Sequence, residues 1–138
     1  MKIAIKQIKA EATYFLRHTV MWPDMPKNYI ILPNDGEGTH FGLFVNNVLT
    51  SVVSLFIDYK VAQFRKLATA TAEQGKGYAS ILLTHVMAYA ERKKVNRIWC
   101  NARMDKKEFY LKFGLHSTHT TFTKGEIDYV VMEKILIY

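Results

Sequence analysis

Cysteine is nearly absent from this chain: Cys100 stands alone among 138 residues. A single thiol cannot close an intrachain disulfide, so the fold must rest on its core. That economy suits a reducing compartment, and a cytoplasmic protein is expected. Proline is scarce too, and all three, Pro23, Pro26 and Pro33, fall in one stretch. Outside that stretch nothing forbids regular elements. No run approaches the roughly 18 consecutive apolar residues of a membrane span, so no membrane partner is expected. The start, MKIAIKQIKA, alternates apolar and charged residues and reads as a strand rather than a leader. Acids are the minority charge, 12 Asp and Glu against 19 Lys and Arg, a net +7. Such a balance fits a nucleic acid, a polyanionic small molecule such as a nucleotide cofactor, or plain solubility. The basic residues are scattered and match no recognition motif, so no nucleic-acid partner is expected. No group of His, Cys, Asp or Glu has metal-ligand spacing, so no metal is expected.

What is present is a 49% hydrophobic chain of the size of one domain, expected to span residues 1–138. Met1 to Ile8 reads as a strand. Residues 9–20 lack Gly and Pro and read as a helix, with Tyr14, Phe15, His18 and Val20 toward one face. The proline stretch and Asn34-Asp35-Gly36 predict irregular backbone. His40–Val45 and Val48–Ile57 predict a hairpin around Asn46-Asn47. Val61–Ala70 is a third strand after Tyr59-Lys60. The clearest helix follows residue 77, with Tyr78, Ile81, Leu82, His85, Val86, Tyr89 and Ala90 at helical spacing. Arg97–Asn101 predicts a short strand. Asp105–Phe113 predicts a short helix with Asp105 as its N-cap and Gly114 as its stop. His116–Phe122 and Ile127–Ile137 predict a closing hairpin. The fold class is therefore α/β (α+β), a mixed sheet with a central parallel β-α-β unit.

The stretch Glu73-Gln74-Gly75-Lys76-Gly77-Tyr78-Ala79-Ser80 carries the chemistry. Glycines before a helix leave backbone amides free to hold an anion. A Walker-type loop fails on spacing, because Gly77 follows Gly75-Lys76 and Ala70 stands where the first glycine belongs. A dinucleotide fingerprint fails at its third glycine, which is Ser80. Gln74-Gly75-Lys76-Gly77-Tyr78-Ala79 instead resembles the acyl-CoA-binding signature Gln/Arg-x-x-Gly-x-Gly/Ala of the GNAT superfamily, the GCN-related N-acetyltransferases. A second stretch supports the resemblance. Asn101-Ala102, Phe109-Tyr110, Lys112 and Gly114-Leu115 are similar to the family's Asn-Ala-x-x-x-Ala-x-x-Phe-Tyr-x-Lys-x-Gly-Phe. This sequence departs at Lys106 and Leu115.

The resemblance implies a GNAT fold: a mostly antiparallel sheet of about six or seven strands flanked by helices, with two parallel strands splaying apart. It implies an acetyl-CoA-dependent N-acetyltransferase that moves the acetyl group directly, through a tetrahedral intermediate, to a primary amine of a small molecule or peptide. Acetyl-CoA or CoA would be held by Gln74, Gly75, Lys76, Gly77, Tyr78 and Ala79, by the backbone of Leu67, Ala68 and Thr69, and by Asn101. Lys76 is expected to point largely to solvent. Tyr110 would protonate the departing thiolate. A thiol and a phenol differ by only about 1.5 pKa units, so that transfer is nearly balanced. Cys100, inside a strand run, is not expected to act as a nucleophile.

The general base is open. No carboxylate lies between Val61 and Ala72, Glu73 sits in the anion turn, and Asp58, His40 and His116 are the remaining candidates. Leu16-Arg17-His18-Thr19-Val20-Met21-Trp22-Pro23 resembles a Leu-Arg-x-x-Val-Leu-x-Pro variant found in a group of small bacterial GNAT proteins. Those proteins often carry Gly-Ile-x-His-x-x-Met near the end, where this chain has Tyr129 in place of the histidine. Trp22 and Tyr129 are candidate walls of the acceptor pocket. The alternative function is a GNAT-fold protein that binds acyl-CoA without turnover. Oligomeric state is open, a homodimer included.

Overall fold

The computed structural model describes residues 1–138. Seven strands form one sheet: β1 (Ile3–Ile8), β2 (Thr39–Val45), β3 (Val48–Asp58), β4 (Val61–Thr69), β5 (Arg97–Arg103), β6 (His116–Lys124) and β7 (Ile127–Ile135). Their order across the sheet is β1-β2-β3-β4-β5-β7-β6. Only β4 and β5 are parallel; every other neighbour pair is antiparallel. The α-helices are α1 (Ala10–Leu16), α2 (Tyr78–Arg92) and α3 (Lys107–Leu111). The mixed, mostly antiparallel architecture expected from the sequence is the one observed.

Local chemistry sets the connections. Asn46 and Asn47 take φ of 49° and 68°. Two consecutive positive φ values are what a two-residue hairpin of matching twist requires, and asparagine tolerates them. The β4–α2–β5 segment is the crossover that parallel strands need.

The sheet buries both faces because strand side chains alternate. Phe41, Leu43, Val53, Leu55, Ala62 and Phe64 point to one face and meet Leu82, Leu83, Val86 and Ala90 of α2. Leu82, Leu83 and Val86 are at most 1% exposed, and each contributes roughly 1.5–3 kcal/mol of burial. On the other face Leu16 of α1 packs on Val52 and Ala68.

Three expectations need correction. The buried stripe of α2 is Tyr78, Leu82, Leu83, Val86, Met87 and Ala90. Ile81, assigned to that stripe, is exposed. The first helix ends its α-helical course at Leu16 and widens into a π-type turn over Arg17–Met21. Its buried residues are Thr13, Leu16 and Arg17, whereas Phe15 faces solvent. Asp105 caps no helix: a 3-10 turn over Met104–Lys106 precedes α3. The Asp105 carboxylate instead meets Arg103 at 3.4 Å.

The functional opening comes from a mismatch between the two parallel strands. β4 and β5 are in register only at Val61–Arg97, Ala62–Ile98 and Gln63–Trp99. Beyond these pairs β4 runs on to Thr69 and β5 to Arg103 without pairing to each other. A bulge in β4 accompanies the separation. Ser54 of β3 faces Arg65 and Val52 faces Ala68, so β4 holds one residue more than β3 in between. Lys66 sits in the bulge with φ of 59°.

Candidate active site

The separation between β4 and β5 opens a cleft of about 830 Å³. Leu67, Ala68 and Thr69 line it from β4, Cys100 and Asn101 from β5, and Tyr110 from α3. The glycine turn closes one end, with Gln74, Gly75, Gly77, Tyr78 and Ala79 on the lining.

The turn has the form of an anion cradle. Gly75 and Gly77 take φ of 82° and 87°, left-handed backbone that L side chains avoid, and a Cβ at either position would meet nothing within 4 Å. The glycines therefore leave open space over the backbone rather than making room for a neighbouring side chain. The amides of Gly75 to Ser80 have no acceptor within the chain; the first partnered amide is Ile81, which donates to the Gly77 carbonyl at 3.1 Å. These donors and the α2 dipole share one concavity, which suits a pyrophosphate. Gln74 anchors the turn: its Nε2 donates to the Thr69 carbonyl at 3.0 Å. Lys76 lies outside the lining, with its Nζ 2.7 Å from Glu73 Oε2 at the exposed edge.

Tyr110 lines the slot from α3. Its ring packs 5.9 Å from Phe64 and edge-on to Phe109 at 5.1 Å. Burial, and then the proximity of Cys100, push its phenol well above the ordinary range, so the hydroxyl keeps its proton at any working pH. Burial pushes the Cys100 thiol up to about 12. A group so firmly protonated is no nucleophile at neutral pH.

Known proteins carry the same architecture. The acetyltransferase (GNAT) domain family matches residues 5–136. The chain belongs to the GNAT acetyltransferases. It is 28% identical to YitI of Bacillus subtilis, an uncharacterized N-acetyltransferase, over 97% of both chains. Among solved structures, a Lactobacillus plantarum protein regarded as an N-acetyltransferase superposes with a TM-score of 0.87 at 18% identity, covering 99% of this chain and 100% of its own. A GNAT family acetyltransferase of Elizabethkingia anophelis with acetyl-CoA bound gives 0.78 at 18% identity, covering 97% and 98%.

Within this GNAT chain the sheet divides the cleft into two sides. Cys100 and Ala102 belong to the core under α2. Alternation therefore turns Asn101 and Arg103 to the opposite face, where α1 lies. Val20, Met21, Trp22, Arg65, Lys66, Ile127 and Tyr129 are also on the lining. Trp22 and Tyr129, expected as walls, are both on it, and the Trp22 ring lies tilted against Tyr29 with centroids 5.1 Å apart.

The candidate bases are not brought to the cleft. Asp58 and His116 are exposed and outside the lining. His40 is buried, its Nε2 bonded to the Asp35 carbonyl at 2.9 Å and its Nδ1 to Ser54 Oγ at 2.7 Å. The lining carboxylates, Glu73 and Asp105, each meet a cation, Lys76 and Arg103.

Sequence reasoning missed the buried residue beside this side of the cleft. Arg17 is fully buried and forms a bidentate pair with Asp35: one guanidinium nitrogen donates to Oδ2 at 2.8 Å, the other to Oδ1 at 2.9 Å. It also donates to the Ile30 carbonyl at 3.1 Å and to Ser54 Oγ at 2.8 Å. Burial opposes ionisation of Asp35. The Arg17 hydrogen bond, the Leu32 amide and the nearby positive charge outweigh it, so the carboxyl stays below its ordinary range. This clamp ties Ile30 and Asp35 to β3, and Tyr29, next to Ile30, is the residue whose ring meets Trp22. The arginine of Leu16-Arg17 was the available signal.

Proposed function

We propose that the chain is one acetyltransferase domain that moves an acetyl group from acetyl-CoA directly to a primary amine. One observation carries the reading above all: the row of unpartnered amides from Gly75 to Ser80 at the end of a slot that leads to Tyr110. In this reading the amides of Gly75, Gly77, Tyr78 and Ala79 hold the pyrophosphate, with Gln74 positioning the turn. The free edge of β4 at Leu67, Ala68 and Thr69 takes the pantetheine arm as an added strand. Asn101 gives the arm a side-chain partner across the slot.

The acetyl group then lies near Tyr110, and the amine enters from the α1 side. The free amine nitrogen adds to the carbonyl carbon to give a tetrahedral intermediate, whose collapse breaks the carbon–sulfur bond. Tyr110 passes its proton to the departing sulfur, and the ammonium proton leaves to water. Burial keeps the phenol protonated and so able to donate, but it also raises its pKa above the ordinary value, so the near balance with a thiol expected from the sequence is lost and the donation is uphill. An amide of β4 near Leu67 polarises the carbonyl. Cys100 takes no covalent part.

Two measurements test the reading. CoA and acetyl-CoA raise the melting temperature of the purified protein, and thiol release appears with at least one member of an amine panel. Tyr110→Phe lowers kcat about 10²–10⁴-fold, the usual worth of a positioned acid, and leaves the stabilisation by CoA in place. No melting shift with either ligand would remove the cosubstrate. A second reading draws on the pairing of both lining carboxylates, Glu73 and Asp105, with cations. In that reading the protein binds acyl-CoA without turnover, and CoA stabilises it while no amine releases thiol.

A further inference from the structure

The bulge in β4 changes which side chains share a face. In an unbroken strand Arg65 and Lys66 would point to opposite sides of the sheet. Arg65 stands opposite Ser54, a partner of Arg17, and so faces α1. The bulge adds a residue at Lys66 and re-aims its side chain. Lys66 Nζ lies 6.0 Å from the centre of the Trp22 ring, on the same α1 side. Two consecutive cations thus line the acceptor wall together.

Neither cation has a counterion. The ion pairs of the chain are Arg17–Asp35, Lys76–Glu73, Arg97–Glu133, Arg103–Asp105 and Lys134–Glu91, and none includes Arg65 or Lys66. Both side chains are only partly exposed. Burial, and then the charges of Arg65, Lys124 and Arg17, pull the Lys66 ammonium down to about 8; Asp35 alone opposes them. Burial and Arg17 also lower Arg65. Half-buried like charges without a partner are costly, and an anion between them relieves the cost. The Trp22 indole nitrogen is buried near them without an acceptor.

The phosphates of CoA are poorly placed to be that anion. Lys66 lies three residues before Thr69 on β4, about 10 Å along the strand, and the glycine turn lies farther on.

We propose that the acceptor amine carries an anionic group, a carboxylate or a phosphate, which Arg65 and Lys66 hold at the α1 side of the cleft. This deepens the acetyltransferase reading and rests on it. The anion fixes the far end of the acceptor and leaves its amine free to reach the slot. Cationic polyamines are disfavoured by the same charges.

The experiment uses matched pairs of amines that differ in the anion: phenylalanine against phenethylamine, lysine against cadaverine, and O-phosphoethanolamine against ethanolamine. Thiol release is followed with saturating acetyl-CoA, and binding by calorimetry with CoA present. One anionic member is expected to show kcat/KM and affinity at least about tenfold above its partner that lacks the anion, the scale of one charge-assisted hydrogen bond. The first two pairs report a carboxylate and the third a phosphate. Lys66→Gln and Arg65→Gln bring the ratio toward one by raising KM for the anionic member, and Lys66→Glu reverses the preference. Equal or better use of the partners that lack the anion in every pair overturns the inference and leaves the acetyltransferase reading standing. A variant that weakens both members of a pair alike also overturns it. Absence of thiol release throughout counts against turnover instead. Calorimetry then decides the anion site, and no preference for any anionic member overturns it.

Discussion

Arg17→Met keeps most of the side chain's length and removes its charge. In the folded protein Arg17 makes four hydrogen bonds: two to Asp35, one to the Ile30 carbonyl and one to Ser54. Removing it strands a buried carboxylate with the Leu32 amide as its remaining hydrogen-bond donor, at 2.9 Å. Breaking a buried pair in this way costs about 3–5 kcal/mol, because the surviving charge is no longer compensated. Against a total stability of roughly 5–15 kcal/mol that is a large fraction, equivalent to a melting decrease of about 10–20 °C. A double variant, Arg17→Met with Asp35→Leu, removes both charges and should recover much of the loss. Urea unfolding of wild type, both single variants and the double variant gives the coupling directly. The clamp holds Ile30, next to the Tyr29 ring that meets Trp22, so on the proposed reading Arg17→Met should also raise the acceptor KM while CoA still stabilises the fold. A loss under about 1 kcal/mol, or no recovery in the double variant, would refute the view that this pair is a buried clamp.

Two further outcomes follow from single residues. Gly77→Ala forces a side chain onto backbone with φ of 87°, where its Cβ would meet nothing within 4 Å. The fold should lose about 1–2 kcal/mol from backbone strain alone. CoA affinity should fall about 10–100-fold as the amides shift, measured by calorimetry; unchanged affinity would detach the turn from the cosubstrate. Lys66 titrates near 8 in the fold and near 10.5 when unfolded. Between those values the unfolded chain binds more protons, so this group's contribution to stability rises with pH through that window. The groups that act on it are Arg65, Lys124, Arg17 and Asp35. The advantage of Lys66→Met over wild type in urea should therefore shrink between pH 8 and 10.5, and parallel pH curves would contradict a half-buried unpaired ammonium.

The parts of the fold that were legible in sequence are those fixed by neighbours along the chain. Asn46-Asn47 announces its hairpin because few residues accept two positive φ values in succession. Gly75 and Gly77 announce their turn for the same reason. The helical stripe after residue 77 placed α2, though Leu83 and Met87 replaced Ile81 on its buried side. The illegible parts depend on distant partners. Arg17 and Asp35 are 18 residues apart, and nothing local marks two charges as buried. Phe15 was placed on one lined face with Tyr14, His18 and Val20 but is exposed, because α1 turns Thr13 and Leu16 inward and leaves Phe15 on its outer side.

Lys66 is the sharpest such case. A lysine with positive φ has no local signature, since its conformation is imposed by the register of β4 against β3. That one extra residue lies just past the last β4–β5 pair, Gln63–Trp99. Bulges bend and twist the strand that carries them, so this one favours the departure of β4 from β5 that opens the slot. It also turns a second cation toward the acceptor side. On the proposed reading, a single backbone irregularity ties the place of the cosubstrate to the charge of the amine. Straightening the strand by deleting Lys66 should close the slot and remove the cation pair together, losing CoA stabilisation and anion preference in one step. Substituting Lys66 should lose only the second.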